Sequence, residues 1–379
     1  MKLKSHILML LSNPCINDAR VLNEANSLSE AGYKVTLLCW DREGIHPEHD
    51  FLYDIEVIRI RNTRFMNLLT FDILRMGLGW WRHASVKALE IHDSTPLDAI
   101  HCHDLDTLPI GVNLKKKLKI PLVYDSHELW PDMLSRDLPY FFPTRFANIE
   151  KQSFPYVDHL ITTHEPFLDE LLKRAERQIP STIIMNAKKI INTDYQQSSN
   201  KNLIAIYIGN LSQPRLVEGL IEAVLSLEGV EAVIGGFGKP RQFQKISNLA
   251  KREKNIDFLG VVPVDKVLSH TLEADVVICM TDPNDKNNSR ASANKQFEAM
   301  SCGRPIICSN GTEISNFTNK HGIGVSVEHS VKGIRGALVK LRDDKNLREE
   351  LGRKALSKAC DEFNWEVQSE KLVAVYEGL

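Results

Sequence analysis

Residues 6–40 read HILMLLSNPCINDARVLNEANSLSEAGYKVTLLCW, and this stretch predicts the fold. The apolar run 6–12 is followed by residues 17–31, where apolar side chains recur at the spacing of one helix face until Gly32 ends the pattern. A second apolar run starts at residue 34. Strands that are apolar throughout and are joined by helices are typical of a parallel sheet covered on both faces. The stretch therefore predicts a strand, a helix and a parallel strand.

The same alternation continues along the chain and pauses once. Among the predicted elements of the first half is a long helical stretch near residues 68–91. Residues 186–202, NAKKIINTDYQQSSNKN, are polar and rich in Asn, Gln and Ser, which indicates a linker. The alternation restarts at residue 203 and ends with three helical patterns. The sequence thus predicts an α/β protein with two doubly wound, Rossmann-like halves in tandem.

The composition excludes several classes of protein. The chain has 379 residues and a formal net charge of −2, whereas a nucleic-acid-binding protein would normally have a strongly basic domain. No apolar window reaches the roughly 18–20 residues of a membrane span, and the apolar run near the start is too short for a signal peptide. The seven cysteines are scattered without paired spacing, so we expect neither disulfides nor a zinc site, as in a reducing cytoplasm.

Residues 292–309, SANKQFEAMSCGRPIICS, form the most informative loop and helix. Open parallel sheets bind ligands beyond the carboxyl ends of their strands, where such loops lie. A helix beginning near Ala293 would carry Asn294, Lys295 and Glu298 in its first two turns. Its free amides and the positive end of its dipole attract anions. A cation for phosphate beside a carboxylate for hydroxyls suits a nucleoside diphosphate and its ribose, although each residue alone would also suit an ordinary capped surface helix.

This segment resembles the donor-binding helix of the retaining family 4 glycosyltransferases (glycosyl transferases group 1), which have the GT-B fold. The family pattern is Pro-Asn-Lys, two residues, Glu, and a Gly-x-Pro turn into a strand. The resemblance implies that Glu298 holds the ribose hydroxyls of a sugar nucleotide. Many members carry another Glu eight positions earlier, where this chain has Arg290. The resemblance therefore leaves the contact with the transferred sugar unassigned.

Residues 206–224, IYIGNLSQPRLVEGLIEAV, resemble the family's Gly-Arg-Leu loop and the helix that follows it. Gly209 starts the loop, Asn210 stands where the family usually has Arg, and Arg215 stands where it usually has Lys. Arginine can bind a phosphate through two parallel hydrogen bonds. We therefore predict that Arg215 and Lys295 together clamp the diphosphate of the donor, although Arg215 could also be a solvated residue at the start of a helix.

Two further turns resemble loops that face the nucleotide in the family. Gly236 and Gly238 would let the backbone approach a ligand closely, although glycine turns often serve packing alone. The turn that ends at Val262 matches the one whose backbone contacts the base. Because backbone contacts of this kind leave uridine and guanosine donors hard to separate by sequence, we expect a UDP- or a GDP-sugar.

The first half would supply the acceptor side. Residues 121–131, PLVYDSHELWP, place His127 and Glu128 directly after a predicted strand. The resemblance implies that His127 lies beside the donor sugar, and Glu128 would orient the acceptor. The alternative for a single histidine such as His127 is a core residue whose hydrogen bonds are all made within the protein. Asn17 and Arg20, in the first strand-to-helix loop, are also candidates: Arg20 would approach a phosphate or pair within its own helix turn.

The stretch HCHDLD at residues 101–106 suggests a metal site at first sight, because His-x-His and Asp-x-Asp both occur in metal centres. No further cluster of His or carboxylate residues with ligand spacing stands near it in the sequence. A His-Asp pattern at a strand end also occurs in the family's acceptor domain, which makes Asp104 a candidate cleft residue. The resemblance implies that no metal is required, so we expect no metal site and no cofactor besides the sugar-nucleotide substrate.

Between residues 59 and 87, basic residues stand among aromatic and apolar ones. Such a face suits anionic lipid headgroups, and lipid-linked acceptors are common in the family. The alternative is one helix whose apolar stripe packs inward with its arginines in water. The residues of this face are Arg59, Arg61, Arg64, Arg75, Arg82, Lys87, Phe65, Leu68, Leu69, Phe71, Trp80 and Trp81.

The resemblance covers both halves of the chain. It implies two facing Rossmann-like domains, an acceptor domain at 1–190 and a nucleotide-sugar domain at 191–362, with a final helix at 363–379 returning to the first. It also implies transfer of a hexose to a glycan or lipid-linked acceptor, with retention, in the cytoplasm or at the inner face of the membrane. Two alternatives stay open: a chain that binds a ligand or partner without transferring sugar, and a sugar-nucleotide epimerase.

Overall fold

The computed structural model describes residues 4–16, 18–68 and 72–379. The chain divides into two compact units. Unit 1 consists of Met1–Met185 and Ser369–Leu379, and unit 2 consists of Asn186–Gln368. Each unit is built on one mainly parallel sheet, which confirms the predicted α/β class and the repeated architecture.

In its described residues, unit 1 has a sheet of eight strands in the order β3-β4-β2-β1-β5-β6-β7-β8. Every neighbouring pair is parallel except β3 and β4, an antiparallel hairpin at the edge that the sequence did not predict. Strands β1, β5 and β6 are buried along their whole length, as expected for a parallel sheet covered on both faces. The strands are β1 His6–Leu11, β2 Lys34–Asp41, β3 His49–Leu52, β4 Ile55–Arg61, β5 Ala99–His103, β6 Leu122–Ser126, β7 His159–Thr162 and β8 Ser181–Ile183.

The helices that belong wholly to unit 1 include α1, which covers most of the helix predicted at residues 17–31. They are α1 Ala19–Glu30, α2 Arg64–Asn67, α3 Asp72–Arg75, α4 Trp81–Ser94, α5 Leu108–Leu118, α6 Trp130–Asp137, α7 Phe141–Ser153 and α8 Glu165–Ala175.

Helix α1 shows how the local sequence carries a polar residue into the core. Asp18 caps the helix by accepting a hydrogen bond from the amide of Val21. Val21, Ala25 and Leu28 recur at helical spacing and are fully buried. Glu24 lies on the same face and is fully buried as well. A carboxyl group is therefore placed inside unit 1.

The single long helix predicted near residues 68–91 is wrong in the described residues. The short helix α2 ends before this segment, which contains the short helix α3, a π-helical turn at Met76–Trp80, and then α4. Gly77 and Gly79 weaken a regular helix at this point, and π turns tend to interrupt helices at such sites. A Cβ atom on Gly79 would also overlap the side chain of Met66, so the close approach of α2 requires glycine there.

In its described residues, unit 2 has a sheet of six strands, all parallel, in the order β11-β10-β9-β12-β13-β14. The sequence predicts strands at the apolar runs 203–208, 231–235, 256–259, 275–280, 305–308 and 324–327, and each observed strand lies within a few residues of one of these runs. They are β9 Leu203–Asn210, β10 Val230–Phe237, β11 Ile256–Gly260, β12 Val276–Cys279, β13 Ile306–Ser309 and β14 Gly324–Val327.

The remaining helices pack around this sheet or close the chain. The last one begins in unit 2 and continues into unit 1 from Ser369 on. They are α9 Val217–Leu225, α10 Pro240–Ala250, α11 Val267–Glu273, α12 Asn294–Ser301, α13 Glu313–His321, α14 Val331–Asp343, α15 Lys345–Asp361 and α16 Trp365–Glu377. Across the described part of the chain, no helix has both the length and the apolar character needed to cross a membrane.

The polar stretch 186–202 contains no helix or regular strand but is bonded to unit 2. Lys188 forms an isolated parallel bridge with Asn364, and Arg304 donates a hydrogen bond to the carbonyl of Gln196 at 2.7 Å. This stretch therefore follows the surface of unit 2 and is part of that unit.

In both sheets the order of the strands reverses beside the first strand of the unit. Strand β1 lies between β2 and β5, and β9 lies between β10 and β12. The crevice at the carboxyl ends of such strands is where open α/β sheets bind ligands. These two edges are therefore the places to look for functional side chains.

Candidate functional site

At the carboxyl edge of unit 2, two strand ends approach so closely that only glycine fits. A Cβ atom on Gly236 would overlap the carbonyl oxygen of Gly209, and both residues have positive φ, +135° and +152°. Val262 packs against the preceding residue, Gly235, because a Cβ atom on Gly235 would lie 2.6 Å from Cγ2 of Val262. Gly238 has only ordinary contacts, with Leu211. The glycines thus leave bare backbone at the switch point of the sheet.

Lys295 extends over this bare backbone from the first turn of α12. Its Nζ lies 4.8 Å from the centre of the Tyr207 ring, and a Cβ atom on Gly209 would overlap it. Burial lowers the pKa of Lys295, and the positive charge of Arg215 acts in the same direction. Among the described residues, no side chain caps the start of α12. The ammonium group of Lys295 and the uncapped amides of α12 therefore lie at the same end of this helix, where an anion would be attracted.

Arg215 lies in a short 3-10 turn that follows β9. It donates a hydrogen bond at 2.8 Å to Oδ1 of Asn288, a buried residue of the loop after β12. Burial raises the pKa of the Cys279 thiol, and the charges of Lys295 and Arg215 both oppose that rise, so the two cations lie near the same strand end. In the described residues, neither Arg215 nor Lys295 forms an ion pair with a carboxylate. The arrangement favours binding of an anion that carries more than one charge.

Glu298, one turn further along α12, is held by a lysine that the sequence analysis missed. Nζ of Lys188 lies 3.6 Å from Oε1 of Glu298 and donates a hydrogen bond at 2.9 Å to Oδ1 of Asn294. Lys188 comes from the polar stretch 186–202, which was interpreted as a linker. The sequence feature that could have pointed to Lys188 is the pair of adjacent lysines, 188 and 189, in an otherwise weakly charged segment.

At the carboxyl edge of unit 1, His127 lies between two carboxylates. Its Nε2 is 2.8 Å from Oδ2 of Asp125, and its Nδ1 is 3.5 Å from Oδ2 of Asp104. Its backbone amide donates a hydrogen bond to Oδ1 of Asp104 at 2.9 Å. Although burial alone would lower it, the two carboxylates raise the pKa of His127 to about 10. The imidazole is therefore protonated at neutral pH.

Arg20 is directed into the interior of unit 1. Its Nε lies 3.0 Å from Oε1 of Glu24 in the next turn of α1, and its NH2 group lies 3.0 Å from Oδ1 of Asp125. Its NH1 group donates to the carbonyl of Ile184 at 2.7 Å. Of the two roles considered for Arg20, pairing inside the protein is the one that these contacts match. Asn17 lies outside the described residues.

Glu24, His101, His103 and Asp125 form a fully buried cluster below His127. One possible ligand atom from each lies within 4.8 Å of the others, so these four residues could hold a metal ion. Along the chain no further His or carboxylate cluster stands near HCHDLD, but the fold brings Glu24 and Asp125 beside His101 and His103. The sequence did not show this cluster because Glu24 comes from α1 and Asp125 from β6, and only the strand order brings them to His101.

Comparisons with known proteins were made against family models, curated sequences and solved structures. Residues 19–187 match the model described as Glycosyltransferase Family 4, and residues 202–347 match the model described as Glycosyl transferases group 1. Together the two models cover most of the chain. This chain is a GT-B, family 4-like glycosyltransferase.

Two curated relatives of this glycosyltransferase are both uncharacterized glycosyltransferases of Methanocaldococcus jannaschii. One is 21% identical over 358 residues, which is 87% of this chain and 86% of the relative. The other is 24% identical over 189 residues, which is 47% of this chain and only 46% of the relative's length.

Solved structures similar to this glycosyltransferase show the same fold at low sequence identity. Sucrose-phosphate synthase from Thermosynechococcus elongatus has a TM-score of 0.79 at 16% identity, with 98% of each chain covered. Anabaena HepE, solved in complex with UDP and glucose, has a TM-score of 0.75 at 15% identity, with 99% of this chain and 100% of that chain covered. These likenesses confirm the GT-B fold.

The other predicted site residues of the glycosyltransferase occupy less constrained positions. Asn210 is exposed; its carbonyl accepts a hydrogen bond from the Tyr207 hydroxyl and its side chain accepts one from the Ser212 amide. Glu128 is half-buried just before α6, and its carbonyl accepts a hydrogen bond from Ser126. Arg290 is exposed in the loop before α12.

The predicted basic and aromatic face is only partly present on the surface of the glycosyltransferase. Trp80 is fully buried and stacks on Trp40, with ring centroids 5.5 Å apart, and Arg59 is buried with an ion pair to Asp50. Including Trp80 and Arg59 in a surface was therefore wrong, because the sequence pattern does not show which side of these elements packs inward. Leu69 and Phe71 lie outside the described residues.

Proposed function

We propose that unit 2 of this glycosyltransferase binds a nucleotide-diphosphate sugar, UDP- or GDP-linked, and that the enzyme transfers its hexose to a hydroxyl of a glycan or lipid-linked glycan with retention of configuration. The observation that carries the proposal is the pair Arg215 and Lys295 beside bare backbone, without a carboxylate partner among the described residues. A similar solved structure, Anabaena HepE in complex with UDP-glucose, supports the choice of donor.

The chemistry requires stabilisation of charge at the leaving group. As the glycosidic C–O bond breaks, negative charge grows on the diphosphate and the sugar becomes oxocarbenium-like. Arg215, Lys295 and the first amides of α12 would stabilise that charge most strongly in the transition state. Since the protein supplies these cations itself, we propose that transfer requires no metal ion at the diphosphate. The leaving phosphate would then accept the proton of the acceptor hydroxyl.

Glu298 and His127 complete the proposed assignment. We propose that Glu298, held by Lys188, binds the ribose hydroxyls of the donor, with Asn294 beside it. We propose that His127 orients the reacting sugar, with Asp104 and Glu128 on the acceptor side.

The test compares donor binding and turnover in Arg215→Ala and Lys295→Ala with the wild-type protein. We expect each substitution to lower kcat by about 10²–10³, the usual cost of removing a donor that stabilises an anion. The melting temperature without ligand should change little. Arg252→Ala is the matched control, because Arg252 is exposed just after α10, whose C-terminal end leads back to the opposite edge of the parallel sheet. Its rates should equal those of the wild type.

A panel of sugar nucleotides identifies the donor, because a bound donor raises the melting temperature by mass action. Wild-type rates in both the Arg215 and the Lys295 variant would show that the site is wrongly assigned. Donor binding without release of nucleotide diphosphate would favour the non-transferring alternative. Conversion of the donor into its epimer would favour the epimerase.

We also propose that an exposed apolar and basic segment of unit 1 contacts an anionic membrane surface at the cytoplasmic face. Phe65, Leu68 and Leu78 are 54%, 80% and 58% exposed, and Arg64 and Arg82 are exposed near them in the chain. Apolar side chains flanked by arginines suit the boundary between headgroups and acyl chains. The protein should sediment with vesicles of anionic lipid at low salt but not with neutral vesicles. Binding that is unchanged in a Phe65→Ser, Leu68→Ser double variant would contradict this surface.

A further inference from the structure

Unit 1 contains three buried side chains whose polar atoms lack hydrogen bonds. Among the described residues, no hydrogen bond reaches Oε2 of Glu24, Nε2 of His101 or Nε2 of His103. All three side chains belong to the buried interior of the unit. A buried polar group without a partner costs free energy, so proteins usually give it a hydrogen bond, a water molecule or an ion. These three side chains therefore need a partner besides one another.

The spacing of these groups is close to that of ligands around one ion. Nε2 of His101 lies 3.7 Å from Oε2 of Glu24 and 3.7 Å from Oδ2 of Asp125. Nδ1 of His103 lies 3.6 Å from the same oxygen of Asp125. These distances are too long for hydrogen bonds. Two ligands of a tetrahedral ion with metal bonds of about 2.0–2.2 Å are about 3.3–3.6 Å apart, so the groups fit an ion better than they fit one another.

His101 also has the outer contact that is typical of a metal ligand. Its Nδ1 lies 2.7 Å from the hydroxyl of Tyr376 on α16. A histidine that binds a metal usually donates the N–H of its other ring nitrogen to an oxygen, which fixes the orientation of the ring. When Nδ1–H donates to Tyr376, the lone pair is on Nε2, the atom that lacks a hydrogen bond. Stacking on His103, with ring centroids 4.3 Å apart, also holds the ring.

Asp125 is the most engaged of the four residues. The NH2 group of Arg20 lies 3.0 Å from Oδ1 and 3.1 Å from Oδ2, and Nε2 of His127 lies 2.8 Å from Oδ2. In Glu24, Oε1 lies 3.0 Å from Nε of Arg20, whereas Oε2 faces His101. Glu24 and the two histidines are therefore the principal ligands, and Asp125 is a fourth ligand that Arg20 holds in place. Imidazole nitrogens together with carboxylate oxygens are ligands that first-row transition metals accept.

We propose that Glu24, His101, His103 and Asp125 bind one divalent first-row transition metal ion in the interior of unit 1. One ligand atom from each residue lies within 4.8 Å of the others. The ligands come from α1, β5 and β6, so the ion joins the first helix of the unit to two central strands and has a structural role. The donor-binding residues proposed above belong to unit 2, and the ion takes no part in binding the diphosphate.

The first test measures the metal content and the melting temperature of the full-length protein. Since the ligands are buried, the ion enters as the chain folds, and the protein is therefore produced in medium with added Zn²⁺ and in medium depleted of transition metals. Elemental analysis should find about one zinc ion per chain in the first preparation. That preparation should also have the higher melting temperature, because an ion that binds only the folded state stabilises it.

The second test compares three variants produced with added Zn²⁺. His101→Phe removes a ligand and should lose the ion. Tyr376→Phe keeps all four ligands and removes only the oxygen beside Nδ1 of His101, so the affinity for zinc, measured by competition with a chelator, should fall by about 10–100-fold. His270→Gln is the matched control, because His270 is a half-buried histidine 4.0 Å from Glu273 on α11 of unit 2. It should keep the zinc content and the affinity of the wild type.

Three results would overturn the proposal. The first is a wild-type protein without stoichiometric metal, whose melting temperature is the same with and without added Zn²⁺. The second is a zinc content and an affinity that are unchanged in both His101→Phe and Tyr376→Phe. The third is loss of the ion in His270→Gln, which would show that zinc binds at the surface of unit 2. Because none of these measurements uses sugar transfer, a failure of this proposal is distinct from a failure of the proposed function.

Discussion

The two strand edges that carry the candidate residues differ in how their charges are compensated. In unit 1, Arg20 pairs with the fully buried Glu24 and Asp125, and the partly buried His127 also pairs with Asp125. In unit 2, Arg215 and Lys295 lie near one strand end, and within the described residues neither has a carboxylate partner. In unit 1 the charged groups have opposite charges beside them, whereas the two cations of unit 2 have no ion-pair partner among the described residues.

This difference indicates two kinds of task. A buried network whose members neutralise one another stabilises one arrangement and one state of protonation, which suits a group that must be positioned. A pair of cations beside bare backbone gains most when an anion arrives, which suits binding of a donor and departure of its diphosphate. The comparison predicts that charge removal destabilises unit 1 and impairs ligand binding in unit 2.

The largest expected effect comes from removing the compensating cation of unit 1. Arg20→Met leaves two buried carboxyl groups without their partner, so the free energy of unfolding should fall by about 3–5 kcal/mol. Arg215→Met is the control in unit 2. It should change the free energy of unfolding by less than about 1 kcal/mol, because no ion pair is lost. Urea unfolding followed by tryptophan fluorescence reports mainly on unit 1, which contains Trp40, Trp80, Trp81 and Trp130. Equal losses in both variants would refute the comparison.

The next effect is a pH dependence of stability that arises in unit 1. Burial, and then the neighbouring Asp104, raise the pKa of Asp106 to about 7. The folded state therefore binds this proton more tightly than the unfolded state. The stability that the protein loses by ionising Asp106 grows between about pH 4 and pH 7 and is constant above pH 7. Asp106→Asn removes the cost. Its stability relative to the wild type should rise over this window by at most about 4 kcal/mol, since one pKa unit corresponds to about 1.4 kcal/mol.

The matched control for this pH effect is Asp257→Asn, at an exposed position of β11 in unit 2. Chemical denaturation at pH 4, 5.5, 7 and 8.5 measures both variants. A difference between Asp106→Asn and the wild type that does not change with pH would show that this carboxyl group has an ordinary pKa.

The smallest expected effect concerns Glu298 of unit 2, whose carboxylate is paired with Lys188. Lys188→Met leaves Glu298 without its lysine and Asn294 without its hydrogen bond, and we expect a loss of about 1 kcal/mol, or roughly fivefold weaker donor binding. Isothermal titration with the best donor of the panel measures it. Lys189→Met tests the adjacent residue and should leave the affinity unchanged. An increase in affinity for Lys188→Met would mean that Lys188 competes with the donor for Glu298.

Several features of the fold were predictable because their cause is local. The strands of unit 2 are short apolar runs bounded by polar loops, and the face of α1 follows from the spacing of Val21, Ala25 and Leu28. The edge strand β3 was not predictable from such a run, because its side chains are exposed or only half-buried. The break near Gly79 depends on the approach of Met66, which no local pattern contains.

The features of the candidate sites also divide into those with a local cause and those that depend on distant residues. The sequence by itself determined which residues share one helix turn, so Asn294, Lys295 and Glu298 could be grouped from their spacing alone. Only the tertiary structure decided which distant residues meet: Lys188 with Glu298, Asn288 with Arg215, and Tyr376 with His101. It also decided the state of protonation of His127. The physical reason is that ion pairs and pKa values depend on distances of a few ångströms and on burial, which the order of the strands determines and the order of the residues does not.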